Sequence, residues 1–299
     1  MLAADDGYKS IWAYLYDLPF TQGYVDAGGI RTRYVQAGPK DAPVLIMLHG
    51  LGGSWENCFA NLRAHAAHFN TYAIDMLGHG FTDKPDRILE VSHYVEHLKG
   101  FMDEMDIARA SFLGVSLGSW VATRLATLHP GRVGKVTMVS AWGRPQADTP
   151  ISDAEREARA RGRSSRLQAV VNPTWKAIEK IFEGLVVDPK KRLPDLIALR
   201  QAIYRQPAMK QSMANIFAGI DPDAWRRNAL TDDEVAKIES PYLIIAAVDS
   251  NDIFLASSYA YSKLIPRAKL IEMKGASHWA QWECVDEFNR INLEFLRAN

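Results

Sequence analysis

Residues 113–120 read LGVSLGSW, with Gly114 and Gly118 standing two residues either side of Ser116. The stretch ends a short apolar run, ASFLGV (110–115), and leads into WVATRLATLHP (120–130), which has helical spacing. A Gly-x-Ser-x-Gly between a buried strand and a helix is the pattern of a nucleophile elbow. There a sharp, strained turn presents the serine hydroxyl, and only small neighbours fit. Two glycines and a serine also make an ordinary turn, so the rest of the chain has to decide.

Outward from this point, strands and helices alternate. PVLIMLHG (43–50), TYAIDM (71–76), KVTMVSA (135–141), PYLIIAAVD (241–249) and AKLIEMKGA (268–276) are short, nearly continuous apolar runs. Such runs suit strands buried on both faces, as in a parallel sheet covered by helices. GYVDAGGIRTRYVQAG (23–38) reads as a hairpin turning at Gly28 and Gly29. SHYVEHLKGFMDEMD (92–106) has helical spacing with Ser92 as N-cap candidate, and CVDEFNRINLEFLRA (284–298) is an amphipathic closing helix. Between these parts, residues 144–228 are helical in pattern and punctuated by prolines. The expected fold class is α/β, a mostly parallel central sheet flanked by helices, with a helical cap inserted after the sixth strand. The expected domains are an N-terminal extension (1–23), a core (24–143 and 229–299) and a cap (144–228). Within the insertion, EREARARGRSSR (155–166) reads as a solvated helix face.

The totals exclude several function classes. The chain has 299 residues, 47% apolar and 23% charged, enough for a sizeable core. Lys plus Arg and Asp plus Glu number 35 each, so no net field recruits nucleic acid or an anionic membrane. Cys58 and Cys284 fit neither a disulfide framework nor a metal spacing, and a reduced cytoplasmic protein is the economical reading. The N-terminus lacks signal-peptide character, and no stretch is apolar enough for a membrane span. Its aromatic residues Trp12, Tyr14, Tyr16 and Phe20 suggest an extension that packs onto the body.

Two further motifs join the elbow. LHGLGGS (48–54) ends an earlier strand, where an elbow architecture takes one oxyanion-hole N–H, the other coming from the residue after the nucleophile. Those backbone donors are Leu51 and Leu117, with Gly50 and Gly52 letting a substrate approach. GASHWAQWE (275–283) follows the last strand and makes His278 the general-base candidate, in the Ser…Asp…His order of this architecture. Its neutral Nε2 would take the proton of Ser116, while a carboxylate on Nδ1 would fix the tautomer. AAVDSNDIFL (246–255) supplies that acid, with Asp252 favoured and Asp249 as the alternate. Asp75 and His79, in DMLGHG (75–80), read as a structural turn. No metal site and no nucleotide fingerprint appears, so no cofactor is expected.

These motifs, with GGIRTRYVQAG (28–38), AIDMLGHGFTDKPD (73–86), RQAIYRQP (200–207) and GASHWAQWECVDEFNRINLEFL (275–296), give the chain from about residue 24 onward a family likeness. It resembles an α/β-hydrolase, and within that fold the meta-cleavage product hydrolases, which cut carbon–carbon bonds in 2-hydroxy-6-oxo-hexa-2,4-dienoates. The resemblance implies that Ser116 and His278 are catalytic and that Trp279 borders the substrate. It also implies that Arg200 faces the dienoate's acidic end, which suits a planar guanidinium fork. The implied partner is a small acidic dienoate or an ester, and a homodimer or larger homo-oligomer is compatible with the family tendency. Apolar insertion residues such as Trp175, Ile181, Phe182 and Phe217 are candidates for the substituent end. Three departures stand out. The acid loop opens with alanine, and an ungapped count puts the acid position on Ser250. Val115 precedes the nucleophile where asparagine is frequent, and Gly53 replaces a proline. They leave room for a carboxylesterase or amide hydrolase with the same triad, and a ligand-binding receptor on the hydrolase fold is a third reading.

Overall fold

The apolar runs become strands because they have no polar face to offer solvent. The computed structural model describes residues 9–144, 153–250 and 253–298. Strands β1 (Phe20–Asp26), β2 (Arg31–Ala37), β3 (Val44–Leu48), β4 (Asn70–Ile74), β5 (Ala110–Val115), β6 (Val133–Val139), β7 (Tyr242–Ala247) and β8 (Ala268–Met273) form one sheet. Their order is β1-β2-β4-β3-β5-β6-β7-β8. The β1–β2 and β2–β4 pairs are antiparallel and the others parallel. Every residue of β4 and β7 is buried, as the unbroken apolar character of β7 requires.

Helices α1 (Phe59–Ala66), α2 (Val91–Glu104), α3 (Leu117–Leu128), α10 (Ile253–Leu264) and α12 (Val285–Arg297) flank the sheet. Between β6 and β7 lie α4 (Asp153–Val171), α5 (Trp175–Glu183), α6 (Pro194–Tyr204), α7 (Met209–Ala218), α8 (Pro222–Asn228) and α9 (Asp232–Ala236). The short α11 (Ala280–Glu283) precedes α12. The chain's two crossings between sheet and cap are tied together: Leu230 N–H donates to Gly143 O at 2.7 Å. Beside them Trp120, Trp142 and Trp225 pack ring against ring at 4.6–5.3 Å. No helix among the described residues is long and apolar enough to cross a membrane.

Two local expectations change. α2 begins at Val91 rather than after Ser92, with Glu90 as N-cap and its N–H donating to His93 Nδ1 at 3.1 Å. In the N-terminal segment Ile11 and Leu15 enter the core, and Tyr14 meets Phe59 and Trp282 edge-on at 5.1 and 5.5 Å. Trp12 and Tyr16, expected to pack, are exposed at 57% and 74%. The segment forms a 3₁₀ turn, Ile11–Tyr14, and reaches the cap: Ser10 Oγ and Ile11 N donate to Asp195 Oδ2 at 2.6 and 2.8 Å.

The topology positions the site. β3 pairs with β4 on one side and β5 on the other, and such a switch point leaves a crevice at the strands' C-terminal ends. Leu48 pairs with Gly114, so the loop after β3 and the turn after β5 leave the sheet at the same height.

Candidate active site

Ser116 occupies the turn between β5 and α3 with φ +53° and ψ −111°, a left-handed conformation that costs a non-glycine residue free energy. The flanking glycines have steric reasons. A Cβ at Gly114 would lie 2.6 Å from the backbone of Gly118, and one at Gly118 would lie 2.4 Å from Leu48 O. Strand, turn and helix therefore close on each other only without side chains at both positions. Ser116 N–H donates to Val139 O at 2.9 Å, fastening the turn to the end of β6.

His278 is brought in from the opposite side. Ser140 Oγ donates to His278 O at 2.8 Å, so the consecutive residues Val139 and Ser140 hold the serine turn and the histidine segment respectively. Both candidates are largely enclosed, Ser116 at 4% and His278 at 8% exposure. The His278 ring stacks edge-on against Phe254 at 4.6 Å. Ser116 Oγ makes no hydrogen bond among the described residues. Of the two candidate acids, Asp252 lies outside the described residues. Asp249 is exposed, and its Oδ2 accepts the Gly275 N–H at 2.6 Å.

The loop after β3 abuts the serine, since a Cβ on Gly50 would stand 3.3 Å from Ser116 Cβ. Neither Leu51 N–H nor Leu117 N–H donates to another described group. Leu117 is the first residue of α3, where an intrahelical acceptor does not exist. Two backbone donors near one hydroxyl can stabilise negative charge that develops on an attacked carbonyl oxygen. Gly52, at φ +70°, meets the cap: a Cβ there would lie 2.6 Å from the Tyr204 hydroxyl and 3.4 Å from Arg200 Nη1. Arg200 is 3% exposed, and no carboxylate among the described residues pairs with it. Its guanidinium carbon lies 5.6 Å from the ring centres of both Phe182 and Tyr204. Phe182 in turn meets Trp279 edge-on at 5.4 Å. Ser116 thus lies against Gly50 and Arg200 against Gly52, while Phe182 stands between Arg200 and Trp279. Trp175 is 41% exposed, unlike the buried Phe182 and Phe217.

Several supporting residues carry no motif that announces them. His49 accepts the Met76 N–H on Nε2 at 3.0 Å, which leaves Nδ1–H to donate to Gly50 O at 2.7 Å. Burial holds this imidazole neutral, down at about 3. Gly53 N–H reaches the same Gly50 O at 3.0 Å, so the loop is clamped from two sides. The buried Glu283 does the same for the histidine segment. Its Oε2 accepts Ser277 N–H and Oγ–H at 2.7 and 2.8 Å, and its Oε1 accepts the cap's Val187 N–H at 2.6 Å. Gln206 Nε2 ties the cap to Gly80 O at 2.8 Å.

Asp75 is structural, as expected. It accepts Arg33 Nε at 2.7 Å, Trp55 N–H at 2.8 Å and Phe81 N–H at 2.7 Å. Arg33 also donates to both Glu56 oxygens, at 2.9 and 2.8 Å. Burial and the nearby Asp75 push the Glu56 carboxyl up, and Arg33 pulls it back. Replacing Arg33 by alanine leaves two buried carboxylates without their cation. Arg33→Ala is expected to lower stability by about 3–5 kcal/mol. Urea unfolding at pH 7.5 measures it, and a loss under about 1 kcal/mol would mean the cluster is not a structural tie.

Residues 45–291 match the model of the alpha/beta hydrolase family. The 2-hydroxy-6-oxo-2,4-heptadienoate hydrolase of Pseudomonas putida is 26% identical over 278 residues, 91% of this chain and 95% of that protein. A solved variant of a meta-cleavage product hydrolase superposes with a TM-score of 0.78 at 25% identity, covering 92% of this chain and 97% of its own. A carboxylesterase from Bacillus subtilis has the same fold, with a TM-score of 0.80 at 21% identity over 97% of this chain and 96% of that one. By its sheet order, its serine turn and this match over most of its length, the chain belongs to the alpha/beta hydrolase family.

Proposed function

We propose that the protein is a serine hydrolase of carbonyl compounds and that its reaction is carbon–carbon bond hydrolysis of a 2-hydroxy-6-oxo-dienoate. The observation that carries the serine chemistry is the attachment of Ser116 and His278 to the adjacent residues Val139 and Ser140. The dienoate assignment draws on the relatives' names and on Arg200, a buried cation that a substrate carboxylate would neutralise.

In this reading His278 takes the Ser116 proton as Oγ attacks the ketone carbonyl of the keto tautomer, and Leu51 and Leu117 N–H groups receive the oxyanion. The bond to the neighbouring carbon breaks, its electron pair delocalises toward the carbonyl at the acid end, and that carbon takes up a proton. Water then releases the acyl group from Ser116 as a carboxylic acid, leaving a 2-hydroxydienoate. Asp252 is the carboxylate we assign to His278, because Asp249 is exposed and already occupied by Gly275 N–H. The chemistry asks for no cofactor.

Stopped-flow absorbance with 2-hydroxy-6-oxo-6-phenylhexa-2,4-dienoate tests the proposal. Expected is rapid loss of the dienolate band with stoichiometric benzoate. No loss of the band together with brisk cleavage of p-nitrophenyl butyrate would make the protein an esterase, the reading that the buried apolar Val115 beside the nucleophile favours.

A further inference from the structure

His278 stands between two residues that Glu283 holds. Glu283 N–H donates to Trp279 O at 2.8 Å, and its Oε2 accepts Ser277 N–H and Oγ–H at 2.7 and 2.8 Å. The other carboxylate oxygen serves the cap: Oε1 accepts Val187 N–H at 2.6 Å, with Asp188 N–H at 3.4 Å. One side chain thus joins the histidine segment of the core to the loop after α5. The group is costly where it stands. Glu283 is 1% exposed, and Lys191 Nζ donates to its backbone carbonyl, not to its carboxylate. A buried carboxylate without a paired cation is held by its hydrogen-bond donors alone. Tying one segment needs a single acceptor, which an uncharged amide supplies. Accepting from both segments, one at each oxygen, needs a carboxylate.

Resting on the proposed role of His278 as base, we infer that Glu283 is a positioning residue that makes the seat of this histidine depend on the cap. Val187 N–H fixes the carboxylate, the carboxylate fixes Ser277, and Ser277 fixes the backbone from which the imidazole extends. The tie from Ser140 Oγ to His278 O runs to the sheet, whereas the tie through Glu283 runs to the cap. With residues 187 and 188 in place, the base is aligned to take the Ser116 proton. With them displaced, it drifts and the serine is not activated. A misplacement of about 1 Å can cost about 10²-fold in rate. Glutamine has the same shape but one oxygen, so Glu283→Gln turns an NH₂ group against a donor on one side and cuts the link.

The test reads the histidine from the cap side. Val187→Pro deletes the N–H that the carboxylate accepts, at a residue that is itself 50% exposed. Val187→Pro and Glu283→Gln are each expected to lower kcat on the phenyl dienoate by about 10- to 100-fold, with KM within about threefold. The double variant should fall no further than the lower single, since both changes cut one link. Lys190→Ala, an exposed change in the neighbouring turn, should keep the wild-type kcat. Hydrogen exchange of the intact protein, read by mass spectrometry, needs no turnover. The peptide covering residues 277–280 should exchange at least about fivefold faster in both variants, although Val187 belongs to the cap. Unchanged exchange there in both variants, a loss confined to KM, or single losses that multiply in the double variant overturns the inference. Full kcat in Glu283→Gln on a dienoate that the wild type cleaves rejects the positioning role and keeps the reaction. A wild type inert to the dienoate, with the 277–280 peptide still loosened in both variants, rejects the reaction and keeps the link.

Discussion

Ser116→Ala is expected to reduce turnover by at least about 10⁴-fold, while the protein unfolds at the same temperature or slightly higher. The kinetic loss follows from removing the proposed nucleophile: the backbone amides that remain can stabilise an oxyanion but cannot attack. The residual rate would come from those amides and from binding alone. The stability half of the expectation follows from the environment. Ser116 is 4% exposed, and its Oγ satisfies no described hydrogen bond, so removing it relieves a desolvated hydroxyl instead of breaking a tie. Alanine tolerates φ +53° about as poorly as serine does, so the backbone cost is unchanged. Single-turnover kinetics beside a thermal melt checks both halves. Turnover within tenfold of wild type would remove Ser116 from the mechanism, and a large fall in melting temperature would mean that the hydroxyl is structural.

The second large effect is acid lability. His49, His65, His79 and His97 are fully buried, and burial lowers all four: His49 and His97 to about 3, His65 to about 4, His79 well below its ordinary value. Each accepts or donates as a neutral ring; His65, for example, donates from Nδ1 to Asn61 O at 2.7 Å and accepts from Asn292 at 2.9 Å. In the unfolded chain the same imidazoles titrate near pH 6.5. The folded values are depressed, so below pH 6.5 the unfolded state binds protons that the folded state refuses. Stability is full above that pH and falls as pH drops toward 4. One unit below the unfolded value each ring contributes a loss of roughly 1 kcal/mol, so four together remove roughly 5 kcal/mol by pH 5.5. That is comparable to the whole stability of an ordinary domain, roughly 5–15 kcal/mol. Urea midpoints at pH 7.5, 6.5, 5.5 and 4.5 should fall slightly across the first pair and steeply thereafter. A profile that stays level down to pH 4.5 would show that these rings are protonated in the folded state.

What could be read in advance was local. The glycines around Ser116 announce themselves because the crowding they relieve lies within four residues and the neighbouring strand, and the buried strands show as unbroken apolar runs. Groups whose partners are remote did not show. Arg33, Glu56 and Asp75 come from three separate stretches, and nothing in RTRY or SWEN marks their side chains as buried charges. Glu283 looks like one more acid at the start of an amphipathic helix, although it holds both the histidine segment and the cap. The helix start at Glu90 escaped because Ser92 has the better capping chemistry in isolation, while His93 supplies the reciprocal bond. Asp249 and Asp252 stand three residues apart in one loop with the same side chain, and sequence offers no physical reason to separate them.

The bond between the N-terminal turn and Asp195 moors the cap helix that carries Arg200. Asp195 lies in the first turn of α6, the helix that also carries Arg200, and its partners Ser10 and Ile11 belong to a segment anchored by buried apolar side chains. Lifting α6 would break charge-assisted hydrogen bonds and draw Ile11 toward water, so this side of the cap resists movement. With Gln206 on Gly80 O and Glu283 on Val187 N–H, the Asp195 bond makes a third mooring of the cap, the one nearest the chain's N-terminal segment.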